Sequence, residues 1–212
     1  MMKIPILMIG SGNLQKVNLF QKLLQEYEVS VVPPPDNLPP PEENGRTAVE
    51  NAVLKATYYG RYADYVLCAD SGLLFLDLPE DDPRQPGLHV RTPQGVRLDD
   101  EEMIAYWVQK VHALGGRVRA AYVDGTALKT PETVYPFLAT RQEMEATAFY
   151  LTDQVSAKRK PGWPLDSISY DRDGHHFLDE GQKTVQSQWG YQERLKKFIA
   201  EKMGLEKKTA ER

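Results

Sequence analysis

Apolar and polar residues alternate in blocks along the first part of the chain and predict strands and helices in turn. An apolar segment over 3–10 ends in glycine and predicts a buried strand. Ser11-Gly12-Asn13 follows it with the composition of a turn. Apolar residues at helical spacing then predict a helix that begins at Leu14, and residues 28–32 predict the next strand. The chain therefore opens with a strand, a turn, a helix and a second strand.

A stiff loop follows, because six of the nine residues from Pro33 to Pro41 are proline and proline fixes φ and removes a donor. Helical spacing returns over 47–62, and residues 65–69 predict a buried strand. Asp70-Ser71-Gly72 predicts a second polar turn, at the end of that strand. In open α/β sheets ligands bind beyond the carboxyl ends of strands, so both turns are candidate site positions.

The second half predicts a third helix, further strands and a final helix. Asp99 is a favourable N-cap for the third helix, and Gly115-Gly116 ends it. Residues 117–129 and 143–151 predict strands, and residues 191–203 predict the last helix. The order of the elements predicts an α/β fold with a mixed sheet. We expect one domain over 1–204 and a charged, frayed tail over 205–212.

Composition narrows the functional class. The 212 residues carry a net charge of −4 with a pI near 5.6, which disfavours a protein that grips the nucleic-acid backbone. A single cysteine excludes an internal disulfide and fits a reducing compartment. The apolar run from Ile4 to Ile9 is far too short to span a membrane. We therefore expect a soluble cytoplasmic protein with neither a nucleic-acid nor a membrane partner.

The first turn is a candidate phosphate site, because helix N-termini present free N–H groups to anions and Lys16 adds a positive charge. On turn chemistry alone, a simple strand–helix connection capped by Ser11 or Asn13 is equally favoured. Asp70 follows an apolar strand, so its carboxylate is placed to hold a hard divalent cation or to take a proton from water. A turn-forming aspartate is the alternative.

Four further residues are candidates whose simpler explanation is a solvated surface charge. Glu42 and Glu43 follow the prolines, and one of them together with Asp70 would supply the carboxylates that Mg²⁺ takes beside phosphate oxygens. Lys55 on the second predicted helix and Arg91 after Pro86-Gly87 could each reach a polyphosphate.

Four motifs in order over residues 11–91 resemble the inosine triphosphate pyrophosphatase family, whose members remove non-standard purine nucleoside triphosphates. The family patterns are [ST]-x-N-x-x-K, an acidic loop ending in Gly followed by T-F-x-E-N-A-x-x-K-A, D-D-S-G-L, and P-G-x-x-x-x-R. They correspond in this chain to Ser11–Lys16, Glu42–Gly45 with Thr47–Ala56, Ala69–Leu73, and Pro86–Arg91, the last one residue shorter than the family pattern.

The resemblance implies specific roles for these residues. Ser11, Gly12, Asn13 and Lys16 correspond to the triphosphate-binding loop, and Lys55, Ser71 and Arg91 to substrate contacts. Glu42 corresponds to a metal-binding glutamate, and Asp70 to the residue that holds the metal and activates water. The implied protein is an elongated α/β structure whose mixed central sheet is flanked by helices, with two lobes and a central cleft. The resemblance also implies a homodimer that uses Mg²⁺.

The C-terminal half departs from the family pattern. Trp163 and Asp166 stand in the place of the family's base-stacking G-F-G-[YW]-D-P segment. In the place of K-N-x-x-S-H-R, Lys183 is kept, but the base-reading His and Arg are Gln188 and Trp189. Glutamine donates or accepts and tryptophan mainly stacks, so a site that reads a 6-oxo group loses discrimination. Ala69 also replaces the first acid of the D-D-S-G pattern.

The sequence thus predicts hydrolysis of a nucleoside triphosphate, of the ITP, dITP or XTP type, to the monophosphate and pyrophosphate. Asp70 would be the catalytic residue, and the substrate-binding set would extend to Trp163, Asp166, Lys183, Gln188 and Trp189. Two alternatives stay open at this point: a hydrolase for another nucleoside triphosphate with altered base specificity, and a non-catalytic nucleotide-binding homologue.

Overall fold

A computed structural model of the protein describes residues 4–179 and 189–209 and gives an α/β fold with a mixed sheet flanked by helices, as predicted. Within those residues the strands are β1 Ile6–Ile9, β2 Ser30–Val32, β3 Tyr65–Phe75, β4 Arg117–Lys129, β5 Val134–Leu138, β6 Phe149–Thr152 and β7 Ser169–Tyr170. The helices are α1 Leu14–Leu23, α2 Ala48–Tyr59, α3 Asp100–Ala113, α4 Arg141–Ala146 and α5 Trp189–Met203.

The described chain divides into two compact units. Unit 1 contains the residues up to Ser71, Asp124–Ala139 and the residues from Gly190 onward, and unit 2 contains Gly72–Val123 and Thr140–Trp189. The boundaries therefore fall inside β3 and β4, so the two long strands contribute to both units.

Unit 1 is built on parallel strands with helices against both faces. β1 pairs in parallel with β2 and with β3, and β5 pairs antiparallel with the last part of β4. Leu67 of β3 packs in one buried cluster with residues of α1 and α5, whereas Val66 and Cys68 pack in another with residues of α2. Alternate residues of β3 therefore face opposite sides, as the pleat of a strand requires. Burial raises the pKa of the Cys68 thiol to about 12, which makes this cysteine a neutral core residue.

The strand pairs described below for unit 2 are antiparallel. β6 pairs with the first part of β4 and with β7. α3 begins at a capping box in which Asp99 accepts from the amide of Glu102 while the Glu102 carboxylate accepts from the amide of Asp99. The helix buries Met103, Ile104 and Trp107 against the apolar face of this sheet. Unit 2 thus has its own hydrophobic core.

Most predicted elements are confirmed, but two predictions that concern strands are wrong. Asp70-Ser71-Gly72 is not a turn at a strand end, because β3 continues through it to Phe75, where Leu73 and Phe75 are fully buried. Residues 143–151 are not one strand, because Thr140 and Glu143 form a capping box that starts α4, and the strand begins only at Phe149. β5 and β7 were not predicted at all.

The prediction of a frayed tail is wrong for residues 206–208. The amide of Glu28 donates to the Glu206 carbonyl, the amide of Lys208 donates to the Glu26 carbonyl, and Lys207 forms an ion pair with Glu26 at 3.0 Å. Short antiparallel pairing therefore holds this part of the tail to unit 1. Among the helices that the structure describes, none has both the length and the apolar character needed to cross a bilayer.

Candidate active site

One part of the candidate site is the face of α2 that carries Asn51 and Lys55. Thr47 caps the helix by accepting from the amide of Glu50, and Asn51 and Lys55 follow one turn apart on the same face. Asn51 is buried, and its amide nitrogen donates to Oδ2 of Asp70 at 2.8 Å. Its side-chain oxygen accepts from the amide of Gly45 at 2.7 Å. One side chain thus connects the loop that precedes the helix to the aspartate of β3.

Lys55 also connects the loop that precedes α2 to β3. Its ammonium lies 3.2 Å from Oε1 of Glu43 and 3.4 Å from Oδ1 of Asp70. The Lys55 side chain is only 8% exposed and the Asp70 side chain 16%, whereas Glu43 is half exposed. A lysine so little exposed needs charged partners, and these two carboxylates supply them.

Lys16 approaches the same aspartate from α1. Asn13 caps that helix by accepting from the amide of Gln15 at 2.9 Å, and Ser11 accepts from the amide of Asn13. The capping interpretation of this turn is therefore confirmed. The same turn also places Lys16, whose ammonium donates to the carbonyl of Ala69 at 3.2 Å. Burial and the nearby Lys55 charge lower the pKa of Lys16, while the charges of Asp70, Asp124 and Glu43 oppose that shift.

Asp124 of β4 adds a third carboxylate. The hydroxyl of Ser71 donates to its Oδ1 at 2.6 Å, a short bond of the charge-assisted kind. Burial and the Asp70 charge raise the pKa of Asp124, against the opposing effects of Ser71 and Lys16. We refer below to these side chains of unit 1 as the Asp70 cluster: Lys16, Glu43, Asn51, Lys55, Asp70, Ser71 and Asp124.

The Asp70 cluster has the donor chemistry that suits Mg²⁺. The ion prefers hard oxygen ligands, usually one or two carboxylates completed by phosphate and water oxygens. Each oxygen of Asp70 accepts one contact from Lys55 or Asn51 and keeps a lone pair for a further one. The residues present therefore fit a divalent cation. Glu42 is exposed and forms no hydrogen bond or ion pair within residues 4–179 and 189–209, so its metal role stays a prediction.

Unit 2 holds a second group of predicted site residues. The Arg91 guanidinium bonds Oδ1 of Asp100 at 2.9 Å, and Oδ2 of Asp100 accepts from the amide of Gly162 at 2.8 Å. The Gly162 amide and the Arg91 charge lower the pKa of Asp100. Trp163, next in the chain, is 39% exposed.

Lys160 completes this second group. Its ammonium lies 5.2 Å from the centre of the Trp163 ring and 2.8 Å from Oδ2 of the buried Asp166. The short 3₁₀ helix Pro164–Ile168 holds Asp166 in place. We refer below to these side chains as the Trp163 cluster: Arg91, Asp100, Lys160, Trp163 and Asp166.

Three predicted residues have side chains that the structure does not describe. Lys183 and Gln188 lie outside the described residues. For Trp189 the structure gives only the backbone, as the first residue of α5. The predictions for these positions stay predictions.

Sequence reasoning missed four residues that connect the others: Asn51, Asp100, Asp124 and Lys160, the last of which belongs to the basic run over 158–160. A signal existed for Asn51, because it stands four residues before Lys55 on a helix and shares its face. Asp100 follows an N-cap, and its negative charge in the first turn is explained by a favourable interaction with the helix dipole. Asp124 stands within a strand, where no local pattern distinguishes it.

Comparison with known proteins supports the resemblance found in the motifs. The sequence model of the family described as the Ham1 family matches residues 7–144, which contain the whole Asp70 cluster. A curated dITP/XTP pyrophosphatase of Aquifex aeolicus is 41% identical over 69 residues, which are 32% of this chain and 34% of that protein. Another, of Coxiella burnetii, is 29% identical over 117 residues, which are 54% of this chain and 56% of that one. The matched stretches thus span about a third to just over half of these relatives.

A solved structure agrees over a longer stretch. The Ham1 protein of Staphylococcus aureus superimposes with a TM-score of 0.70 at 23% identity, covering 93% of this chain and 99% of that one. At this identity the agreement demonstrates a shared fold.

Proposed function

We propose, from the premise that this chain belongs to the Ham1 family, that it hydrolyses a nucleoside triphosphate to the monophosphate and pyrophosphate. The observation that carries the proposal is the Asp70 cluster. Two ammonium groups, Lys16 and Lys55, and the carboxylate of Asp70 converge there from α1, α2 and β3. The proposed hydrolysis requires cations that bind the phosphate oxygens and a carboxylate that accepts a proton from water.

Four residues of the cluster have a task in the proposed reaction. A water oxygen forms a bond to phosphorus while the bond from that phosphorus to the pyrophosphate oxygen breaks. Asp70 accepts the proton that the water loses, and Lys55 and Asn51 hold its carboxylate in one orientation. Lys16 stabilises the negative charge that develops on the phosphate oxygens.

The proposed cofactor is Mg²⁺, with Asp70 as one ligand and Glu42 as a predicted second one. When bound, the ion supplies positive charge to the polyphosphate and lowers the pKa of a coordinated water. The carboxylate oxygens of the cluster support this choice over softer metals, which prefer sulfur and imidazole.

The proposed substrates are non-standard purine nucleotides such as ITP, dITP and XTP. The support is that the curated relatives carry the name dITP/XTP pyrophosphatase. Trp163 offers an aromatic face for stacking on a base, and Asp166 is held beside it by Lys160.

A substrate panel tests the proposal. The protein is incubated with Mg²⁺ and each of ITP, dITP, XTP, ATP, GTP, CTP and UTP, and the products are separated as pyrophosphate or inorganic phosphate. We expect pyrophosphate and a preference for ITP, dITP and XTP. A pyrimidine optimum would support a changed base specificity, and binding without any product would support a non-catalytic homologue. Release of inorganic phosphate alone would exclude the proposed reaction.

We also propose, from the family resemblance, that the protein acts as a homodimer in the cytoplasm. The single cysteine is consistent with a reducing compartment. Light scattering during size-exclusion chromatography gives the mass in solution, where a dimer would be about twice the 24.1 kDa of one chain. Cell fractionation tests the location.

A further inference from the structure

A cavity of about 330 Å³ lies in unit 2, between α3 and the loop that follows β3. Its volume is at the lower end of the roughly 300–1,000 Å³ that pockets for small molecules have. None of the described residues that line it belongs to the Asp70 cluster or to the Trp163 cluster. The cavity is therefore a separate feature of unit 2, to which the proposed function assigns no role.

Aromatic side chains form one wall of the cavity. The Trp107 ring packs edge to face against the Phe75 ring, with the ring centres 6.0 Å apart, and against the Tyr106 ring, with the centres 5.1 Å apart. Phe75 and Trp107 are buried in the core of unit 2, whereas Tyr106 is only partly buried. A ring that enters the cavity thus meets Tyr106 as an aromatic surface that buried side chains hold in place.

The loop over 83–93 forms another wall, and hydrogen bonds fix it. Near its start, Oε1 of Gln85 accepts from the amide of Phe75 at 2.8 Å, and Nε2 of Gln85 donates to the Phe75 carbonyl at 2.9 Å. Near its end, the Trp107 indole N–H donates to the carbonyl of Val90 at 3.0 Å. Both walls are therefore in place before a ligand arrives, which lowers the ordering cost of binding.

The lining of the cavity carries positive charge. Lys110, Arg84 and His89 belong to it, and no aspartate or glutamate is among the described lining residues. The Lys110 ammonium lies 5.2 Å from the centre of the Tyr106 ring, and in the described parts of the chain it takes part in no hydrogen bond or ion pair. The Arg84 guanidinium donates two of its five N–H groups to Asp82. Lys110 thus keeps an uncompensated charge, and Arg84 keeps free donors.

We propose that this cavity binds a small aromatic anion, whose ring lies against Tyr106 and whose anionic group accepts from the N–H groups of Lys110 and Arg84. A ring gains free energy when it leaves water for an apolar wall, and a cation without a carboxylate partner gains from an anion. A ligand with both parts uses the whole lining. The inference goes beyond the proposed function and does not depend on it, because the cavity shares no described residue with the Asp70 cluster.

Calorimetry with three probes tests the proposal on the intact protein. 1-Naphthyl phosphate has a ring and an anion, 1-naphthol has only the ring, and inorganic phosphate has only the anion. We expect 1-naphthyl phosphate to bind at least about tenfold more tightly than either of the others, a difference of about 1.4 kcal/mol. Equal affinity for 1-naphthol or for inorganic phosphate, or no binding of 1-naphthyl phosphate, would overturn the assignment to an aromatic anion.

A variant that fills the cavity locates the bound probe. Ala113 lines the cavity from the last position of α3 and is exposed, so Ala113→Phe adds a ring there without disturbing the core. We expect the affinity for 1-naphthyl phosphate to fall by at least about tenfold, because the space for its ring is taken. Ala105→Phe makes the same change at an exposed position of α3 outside the cavity and should bind as the wild type does. Binding that survives Ala113→Phe would place the probe elsewhere, for example at the Asp70 cluster, and would overturn the proposal.

A second variant tests the charge and does not depend on the first one folding. Lys110→Met keeps the apolar stem and removes the ammonium, and we expect about tenfold weaker binding of 1-naphthyl phosphate, the lower end of what hydrogen bonds to charged groups contribute. Lys22→Met removes the same charge from an exposed position of α1 and should bind as the wild type does. Thermal unfolding of each variant shows that it is folded. Undiminished binding in Lys110→Met, or an equal loss in Lys22→Met, would show that the cavity does not receive the anion.

Discussion

The Asp70 cluster and the Trp163 cluster use the same kinds of side chain in different surroundings. In the Asp70 cluster, Lys55 and Asp70 are 8% and 16% exposed and stand on a helix and a strand. In the Trp163 cluster, Arg91 and Asp100 are 29% and 35% exposed. Lys160 and Trp163 stand in a loop that leads into a 3₁₀ helix.

This difference decides what each cluster can contribute. Charges that have left water interact strongly with one another and with a bound ion, and removing one partner leaves the other uncompensated. Charges that remain in water are screened, and their pairs contribute little to stability. We therefore expect substitutions in the Asp70 cluster to affect both stability and chemistry. Substitutions of the more exposed Arg91, Asp100 and Trp163 should affect recognition with little effect on folding, whereas the buried Asp166 resembles the Asp70 cluster in this respect.

The largest expected effect is on turnover by Asp70→Asn. We expect the protein to remain folded, because asparagine can still accept from Asn51, and kcat for pyrophosphate release to fall by at least about a hundredfold, the scale of a lost general base. The measurement is pyrophosphate release with Mg²⁺ at saturating substrate. Asp64→Asn, at an exposed position of unit 1, is the matched control and should retain wild-type turnover. Near-normal turnover in Asp70→Asn would remove the catalytic role of this residue.

The next effect is on stability and concerns Lys55. Replacing it by methionine keeps the apolar stem but leaves Asp70 and Glu43 without their ammonium. Breaking a buried pair costs about 3–5 kcal/mol, and since Glu43 is half exposed we expect the lower end, about 3 kcal/mol. Unfolding in urea measures the free energy. Lys22→Met, an exposed lysine of α1, is the control and should change it by less than about 0.5 kcal/mol. A similar loss of unfolding free energy in both variants would mean that the burial of the Lys55–Asp70 pair is unimportant.

A smaller effect is expected from Trp163, on nucleotide affinity alone. If Trp163 stacks on the base, Trp163→Leu should raise KM for ITP by about tenfold, within the 1–3 kcal/mol that stacking contributes. Inhibition by inorganic pyrophosphate, which has no base, should be unchanged. Trp163→Phe retains an aromatic face and should stay close to the wild type. A parallel loss of pyrophosphate inhibition would indicate that the substitution disturbs more than base recognition.

Local sequence patterns predicted the elements of the Asp70 cluster well and its connections poorly. The strand over β1, the turn at 11–13 and the helix that carries Lys55 all follow from periodicity and capping residues. The Ser71–Asp124 hydrogen bond joins residues 53 positions apart, and no local pattern carries that information. The continuation of β3 through Asp70 was missed for the same reason. Asp-Ser-Gly favours a turn locally, but burial of Leu73 and Phe75 in unit 2 overrides this preference.

In the Trp163 cluster the sequence identified residues but not their partners. Arg91, Trp163 and Asp166 were named by resemblance, whereas Asp100 was not, because its local context is the first turn of a helix. The structure gives Asp100 a second task, since one oxygen bonds Arg91 and the other accepts from Gly162. Loop residues have no periodicity that would identify such a contact in advance.

The smallest expected effect is the coupling between Arg91 and Asp100, and it provides the sharpest contrast with Lys55. In a double-mutant cycle, Arg91→Met removes the guanidinium, while Asp100→Asn keeps an oxygen for the Gly162 amide. Because both side chains are about a third exposed, we expect a coupling free energy of about 0.2–1 kcal/mol, decreasing further when salt is added. Urea unfolding of the four proteins at low and high salt measures it. A coupling above about 2 kcal/mol that does not depend on salt would place this pair with the buried charges of the Asp70 cluster, and exposure would then not be what distinguishes the two regions.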